Sequence, residues 1–297
     1  MIVVADVDLM DCVEAVIREH VLACVPDTAG RLTTMDLRSL LSEYGTWRAR
    51  LVSPTPRRCH FSAELAADPK ATKRKADLDA LIAKIEAGED MGPHLSARVR
   101  QGYDPNAPSL AARKDRDLLL ADWGVHHLHL TPKHGDDLVF AVFRPEDAYL
   151  IGLYSHRDWA RRSVLETLIR NWPDAGLVIK LPLLMGLTND WGDRDRKQLR
   201  EAGISIPAIE YDGAVWWAAS LGQAADGTPG IVGQAVMGLT WTLHEWREHL
   251  TDRLAEAEQA VNRELGRRID GDWEPMIHDN TVGIVRGGCF CSIGQLP

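Results

Sequence analysis

Apolar side chains recur at helical spacing across residues 8 to 22, through Val13, Val16, Ile17 and Val21. That spacing gathers them on one face and predicts an amphipathic helix. Leu37, Leu40 and Leu41 predict a second helix, with Thr34 as its cap and Asp36 in its first turn, where a carboxylate favours the exposed amides. A third, through Leu78, Leu81, Ile82 and Ile85, is expected to stop at Gly88, because glycine enters the left-handed conformation of a helix end without strain. Residues 51 to 75 carry Pro54 and Pro56 and read as an ordered loop, since proline removes an amide donor and clashes with the preceding turn. Residues 101 to 115, with Gly102, Pro105 and Pro108, read as a connector.

The apolar period then shortens to two. Strands are expected near 125–131, 137–143 and 148–155, joined by turns at 132–136 and 144–147. A helix at 157–171 follows, closed by Pro173, and Val178-Ile179-Lys180-Leu181 is expected to be a fourth strand. Asn189 or Asp190 is expected to cap a strongly charged helix reaching Ala202. Residues 209 to 217 form a hairpin signal turning at Asp212-Gly213. After a loop at 222–230, one long helix is expected from 232 to 266, and the tail at 281–291 adds one strand. The expected fold is α+β, a central antiparallel meander flanked by helices, with a long C-terminal helix. Three regions are expected: a helical N-terminal region with a basic loop (1–110), the sheet core with the candidate site (115–182), and the hairpin plus long helix packed on the same core (186–297).

Three histidines fall on the first of those strands, in Val125-His126-His127-Leu128-His129. Alternation sends His127 and His129 to one face and His126 to the other. Pairing Thr131 with Asp137 sets His129 opposite Val139 and His127 opposite Ala141. Pairing Phe143 with Ala148 then sets Val139 opposite Gly152. In this register one face is apolar, with Leu128, Leu138, Phe140 and Tyr149 joined by His126. The other is smaller and more polar, and gathers His127, His129, Tyr154 and His156. A slip of one residue would exchange the faces.

Composition narrows the partners. The 297 residues carry a formal net charge of −9, which excludes a nucleic-acid binder that is basic over its whole surface. A local exception lies between residues 46 and 75, where Arg48, Arg50, Arg57, Arg58, Lys70, Lys73, Arg74 and Lys75 face only Glu64 and Asp68. No apolar run approaches the roughly 18 residues of a membrane span, and the first residues lack a basic lead-in, so no signal peptide, anchor or membrane partner is expected. Cys12, Cys24, Cys59, Cys289 and Cys291 are odd in number and scattered, which suits a reducing cytoplasm.

The polar sheet face suggests acid–base chemistry on a phosphodiester. Histidine titrates near neutral pH and serves as base or acid, while lysine, arginine and tyrosine stabilise the phosphorane charge. His127, His129, His156, Tyr154 and Lys133 form such a kit without a cofactor. Arg48, Arg50, Arg57, Arg58 and Arg161 are candidate contacts to nucleic-acid phosphates. A second reading is a metal-dependent hydrolase built on the His-x-His strand, completed by Asp136, Asp137 or His156. A third is a non-catalytic inhibitor that binds nucleic acid or protein through the basic segment, the charged helix and Trp216-Trp217.

The meander with histidines on its open face, the Leu138-Val139-Phe140-Ala141 strand, and a strand ending in His156 before a helix resemble the barnase–EndoU–colicin–RelE group of ribonuclease toxins. The resemblance covers residues 115 to 182. It implies a toxin-type endoribonuclease acting on RNA in the bacterial cytoplasm, held by a protein antitoxin or inhibitor. His127, His129 and His156 would be catalytic, with Tyr154 and Lys133 as helpers.

Overall fold

A computed structural model of the chain describes residues 6–27, 30–100, 113, 116–132, 135–189, 191–268 and 271–297. The fold is α+β. The chain divides into two compact units, Met1–Gly45 with Val232–Pro297, and Thr46–Ile231. Three regions were expected; here residues 1–45 group with the C-terminal segment 232–297. Helix α1 (Asp6–Cys24) belongs to the first unit, and α2 (Leu37–Ala49) runs across the boundary between the two. Asp36, not Thr34, caps α2: its carboxylate accepts from the Ser39 amide at 2.8 Å, while the Thr34 hydroxyl donates to Arg31 O.

The second unit holds the sheet with the histidines. Strand β1 (Arg58–Phe61) stands where a loop was expected. Short helices α3 (Ala63–Ala67) and α4 (Pro69–Lys73) follow, then α5 (Lys75–Ala87), which ends at Gly88 with φ +70°. The Ser62 hydroxyl caps α3 by accepting from Leu65 N and donates to Ile151 O at 2.7 Å. That contact ties the segment to the sheet. Helix α6 (Leu118–Trp123) leads into β2 (His126–His129), β3 (Leu138–Phe143) and β4 (Asp147–Tyr154). The strand order is β1-β4-β3-β2, with β1 parallel to β4 and the other pairs antiparallel.

Next come α7 (Ser163–Asn171), β5 (Val178–Lys180), α8 (Asp193–Glu201), β6 (Ala208–Tyr211) and β7 (Ala214–Ala218). Strand β5 does not extend the meander. It pairs with β7 in a separate sheet of order β5-β7-β6. The β6–β7 turn is the expected one, with Asp212 at φ 49° and Gly213 at φ 66°, the left-handed pair that such a hairpin requires.

The meander register differs from the expected one in two places. Strand β2 is shifted by one residue, so that His127 opposes Phe140 and His129 opposes Leu138. A bulge in β4 leaves Ile151 unpaired, with Ala141 opposite Leu150 but Phe140 opposite Gly152. The two shifts compensate, so His127, His129 and Tyr154 still share a face. That face is not small and polar. It also carries Leu138, Phe140, Val142 and Ile151, which pack with Leu165, Leu168 and Ile169 of α7. The opposite face, with Leu128, Val139 and Leu150, packs against Leu78, Leu81 and Ile85 of α5. Both faces are buried, so alternation alone could not select the register.

Helix α8 is strongly polar, yet two of its arginines are fully buried. Arg200 grips Asp122 of α6 through Nε at 3.0 Å and Nη2 at 2.8 Å, with side-chain exposures of 1% and 0%. Its guanidinium lies over Trp123 at 4.1 Å and Trp159 at 5.5 Å and donates to Trp159 O. The second Asp122 oxygen accepts from Ser205 Oγ at 2.6 Å. Arg196 donates to Trp191 O at 2.9 Å. A charge buried this deeply persists only when it is paired and hydrogen-bonded, as Arg200 is by Asp122.

The first unit is completed by α9 (Gly230–Glu248), α10 (Leu250–Leu265), β8 (Glu274–His278), β9 (Thr281–Arg286) and β10 (Cys289–Gln295). The expected single long helix is broken at His249, where φ is −118°. The tail gives a three-stranded antiparallel sheet, β10-β9-β8, rather than one strand. Arg247 of α9 pairs with Asp11 and Glu14 of α1 at 2.9 and 2.7 Å. Among the described residues, no helix is long and apolar enough to cross a membrane.

Removing only Arg200, as in Arg200→Met, strands the Asp122 carboxylate and is expected to cost about 3–5 kcal/mol in equilibrium denaturation. The double replacement Asp122→Asn/Arg200→Met removes both charges and should recover most of that loss.

Candidate active site

Strand β2 leaves α6 through Gly124, whose φ of 71° ends the helix. The tight turn brings the first residue of that segment back beside the strand. Asp117 caps α6 by accepting from Leu120 N at 3.1 Å, and its other oxygen meets His127 Nδ1 at 3.1 Å. Only 16% of the Asp117 side chain and 23% of the His127 side chain are exposed. Burial works against both charges. The Asp117–His127 attraction overrides it on each side, holding the Asp117 carboxyl well below its ordinary range and raising the His127 imidazole above its own. With Nδ1 donating to the carboxylate, Nε2 is the ring atom left for a reaction partner.

His156 sits at the opposite end of the same face, just past β4. Asp158 fixes the turn that presents it, accepting from Ser155 N at 2.7 Å and Ser155 Oγ at 2.8 Å. The His156 ring is exposed and lies 5.2 Å from that of His129. Burial of part of the ring and the charge of His127 lower its pKa. His127 and His156 therefore lean in opposite directions.

Both line one cavity of about 540 Å³. Arg50, Arg98, Arg116 and Lys197 supply positive charge around it, and Trp159 and Phe140 part of its apolar wall. Arg50 is 5% exposed and follows α2; Lys197 lies one residue after the buried Arg196 on α8. This lining can bind an anion and move protons at it. Among the described residues, no three His, Cys, Asp or Glu side chains converge on a point that would hold a metal ion.

The remaining candidates are placed elsewhere. His129 is buried, and its Nδ1 donates to Gly135 O at 3.1 Å. It does not line the cavity; its ring is a neighbour of His156, which does. Tyr154 stacks on Phe140 at 4.3 Å, and burial pushes its hydroxyl up to about 12. Lys133 lies outside the described residues. Of the five candidate phosphate contacts, Arg50 alone lines the cavity. Arg57 donates to Arg144 O and Ser53 O, bracing a turn. Arg58 pairs with Asp147 at 3.1 Å and Arg161 with Asp158 at 2.7 Å on the surface. Arg48 sits in the last turn of α2. His126, assigned to the core face, does line the cavity; its Nε2 donates to Ala49 O at 3.0 Å and burial pushes its pKa down to about 4.

Sequence reasoning missed Asp117, Arg98, Arg116 and Lys197. An Asp immediately before Leu118-Leu119-Leu120 is a cap signal that was open to reading. The chain matches no protein-family model, no curated protein and no solved structure.

His126 stays neutral in the folded protein down to about pH 4, whereas the unfolded chain takes up the proton near pH 6.5. Its contribution is therefore present above pH 6.5 and lost as pH falls toward 4. His126→Gln keeps a donor for Ala49 O without titrating. Urea midpoints for the variant are expected to fall less between pH 6.5 and 4 than those of the parent.

Proposed function

We propose that the cavity carrying His127 and His156 cleaves RNA by acid–base chemistry. The observation that carries this reading is the pair of histidines in one cationic cavity with pKa values pushed apart, the arrangement that separates an acid from a base. His156, kept neutral, takes the proton of a ribose 2′-hydroxyl. The 2′-oxygen attacks the adjacent phosphorus, and the 5′-oxygen leaves with the proton from His127 Nε2. The products are a 2′,3′-cyclic phosphate and a 5′-hydroxyl end. Arg50, Arg98, Arg116 and Lys197 stabilise the phosphorane charge. His129 holds the His156 ring, and Asp117 holds the His127 tautomer and charge. The resemblance to ribonuclease toxins supports a role as an effector against cellular RNA, with an inhibitor protein as partner.

The purified chain is expected to cut total RNA in EDTA, leaving cyclic-phosphate ends. His127→Ala and His156→Ala should each slow cleavage by about 10²- to 10⁴-fold; undiminished cutting in both would exclude the assignment. The rate should rise as His156 loses its proton on the acid side and fall as His127 loses its proton on the alkaline side. Asp117→Asn removes the charge that raises His127, so the alkaline limb should move to lower pH while the acid limb moves little.

A further inference from the structure

The cavity has a wall that proton transfer at a phosphate does not use. Leu119, Leu138 and Phe140 line it and are at most 2% exposed, so they back it from the core. Trp159 lines it too but is only half-buried, and so presents aromatic surface that the core does not cover. Apolar wall beside a few placed polar groups is what the flat apolar part of a ligand fills. The indole is also held in place. Arg200 lies over the ring at 5.5 Å and donates to the Trp159 carbonyl, and Asp122 pins the guanidinium in turn at 2.8 Å. Arg200 takes one side of the ring, and the remainder borders the cavity. A ring fixed in advance loses little freedom when a second ring settles on it. The turn that presents His156 presents Trp159 as well. Asp158 accepts from Ser155 N and Ser155 Oγ, and its own amide donates to Ser155 O at 3.1 Å. His156 lies inside this turn and Trp159 directly follows it, so both side chains reach the cavity from one short, fixed segment.

We propose that Trp159 is the platform on which the substrate stacks one unpaired nucleobase, that of the nucleotide whose ribose 2′-hydroxyl meets His156. This deepens the ribonuclease reading and rests on it. The base nearest to His156 is the one carried by the sugar that His156 deprotonates, so stacking on Trp159 brings that sugar to the base catalyst. The substrate class is a single strand, because a base must leave its own stack and its pairing partner before it can lie on a side chain. A volume of about 540 Å³ lies within the size range of small-ligand cavities, about 300–1,000 Å³. Stacking accepts every base, since each has a π-face, so Trp159 selects for the presence of a base rather than for its identity.

The test uses the full chain and tetranucleotides with 2′-O-methyl sugars, which are not cut, with a sugar lacking its base placed at each position in turn. Loss of the base at one position should weaken binding about 5- to 150-fold, the range of one base–aromatic stack, and loss elsewhere should change little. Equal losses at every position, or none at any, would overturn the proposal. Trp159→Leu should bind the intact strand as weakly as the parent binds the baseless one and should no longer distinguish the two, a coupling that lost packing alone does not produce. Full discrimination by that variant would contradict the platform. Trp159→Phe keeps a ring beside Arg200. The intact strand should quench the indole emission of the parent more than that of Trp159→Phe, and equal quenching would count against Trp159 in the same way. A free nucleoside 3′-monophosphate binding as tightly as the tetranucleotide would give the ring to a small nucleotide instead. Ribo-tetranucleotides with the same replacements separate this proposal from the ribonuclease reading. A base requirement in binding without cutting would contradict cleavage alone; a strand cut equally fast with and without that base would contradict the Trp159 platform alone.

Discussion

The placement of α6 governs the site, and a buried ion pair fixes it. Asp122, near the C-terminal end of this six-residue helix, is locked to Arg200 of α8 at 2.8 Å, with both side chains out of reach of water. A helix this short has little stability of its own. Its N-terminal cap, Asp117, is the residue that meets His127. The same Arg200 orients α8, so that Lys197 and Glu201 of that helix face the cavity. One interaction thereby sets Asp117 behind His127 and Lys197 at the wall of the cavity. Buried ion pairs fix an arrangement more reliably than they add net stability, and that is the use made of this one.

Within that frame the two histidines differ by environment alone. His127 is backed by a carboxylate, and His156 is backed by a neighbouring histidine and a partly apolar wall. The burial that would neutralise an isolated imidazole is overcome at His127 because Asp117 is equally enclosed, and attraction across a short distance strengthens as water is excluded. His129, the centre of the sequence motif, is buried, bonded to Gly135 O, with its ring 5.2 Å from that of His156.

Much of this was legible in the chain. The three meander strands, the Asp212-Gly213 turn and the stop at Gly88 rest on short-range physics, and each appears where it was expected. What was not legible depends on partners distant in sequence. Arg58-Cys59-His60-Phe61 has no alternation that marks a strand, and becomes one by lying parallel to β4. The register of β2 could not be read because helices cover both faces. Arg196 and Arg200 sit in a run of charge that reads as a solvated helix; Trp123, Trp159 and Asp122 make Arg200 an interior residue, and the Trp191, Ile206 and Ala208 carbonyls receive Arg196. For the site, His127, His156 and Arg50 were named from sequence and line the cavity. Tyr154 shares the face but is spent on packing against Phe140. Arg57, Arg58 and Arg161 followed local charge density, which says nothing about the carbonyls and carboxylates that engage them.

The central claim is that one cavity holds two histidines whose pKa values are pushed in opposite directions. Histidine ring protons followed by NMR from pH 4 to 9, assigned with His127→Gln and His156→Gln, measure it directly. The account predicts a midpoint for His127 above the ordinary value of about 6.5 and a midpoint for His156 below it. Coincident midpoints, or the reverse order, would contradict it.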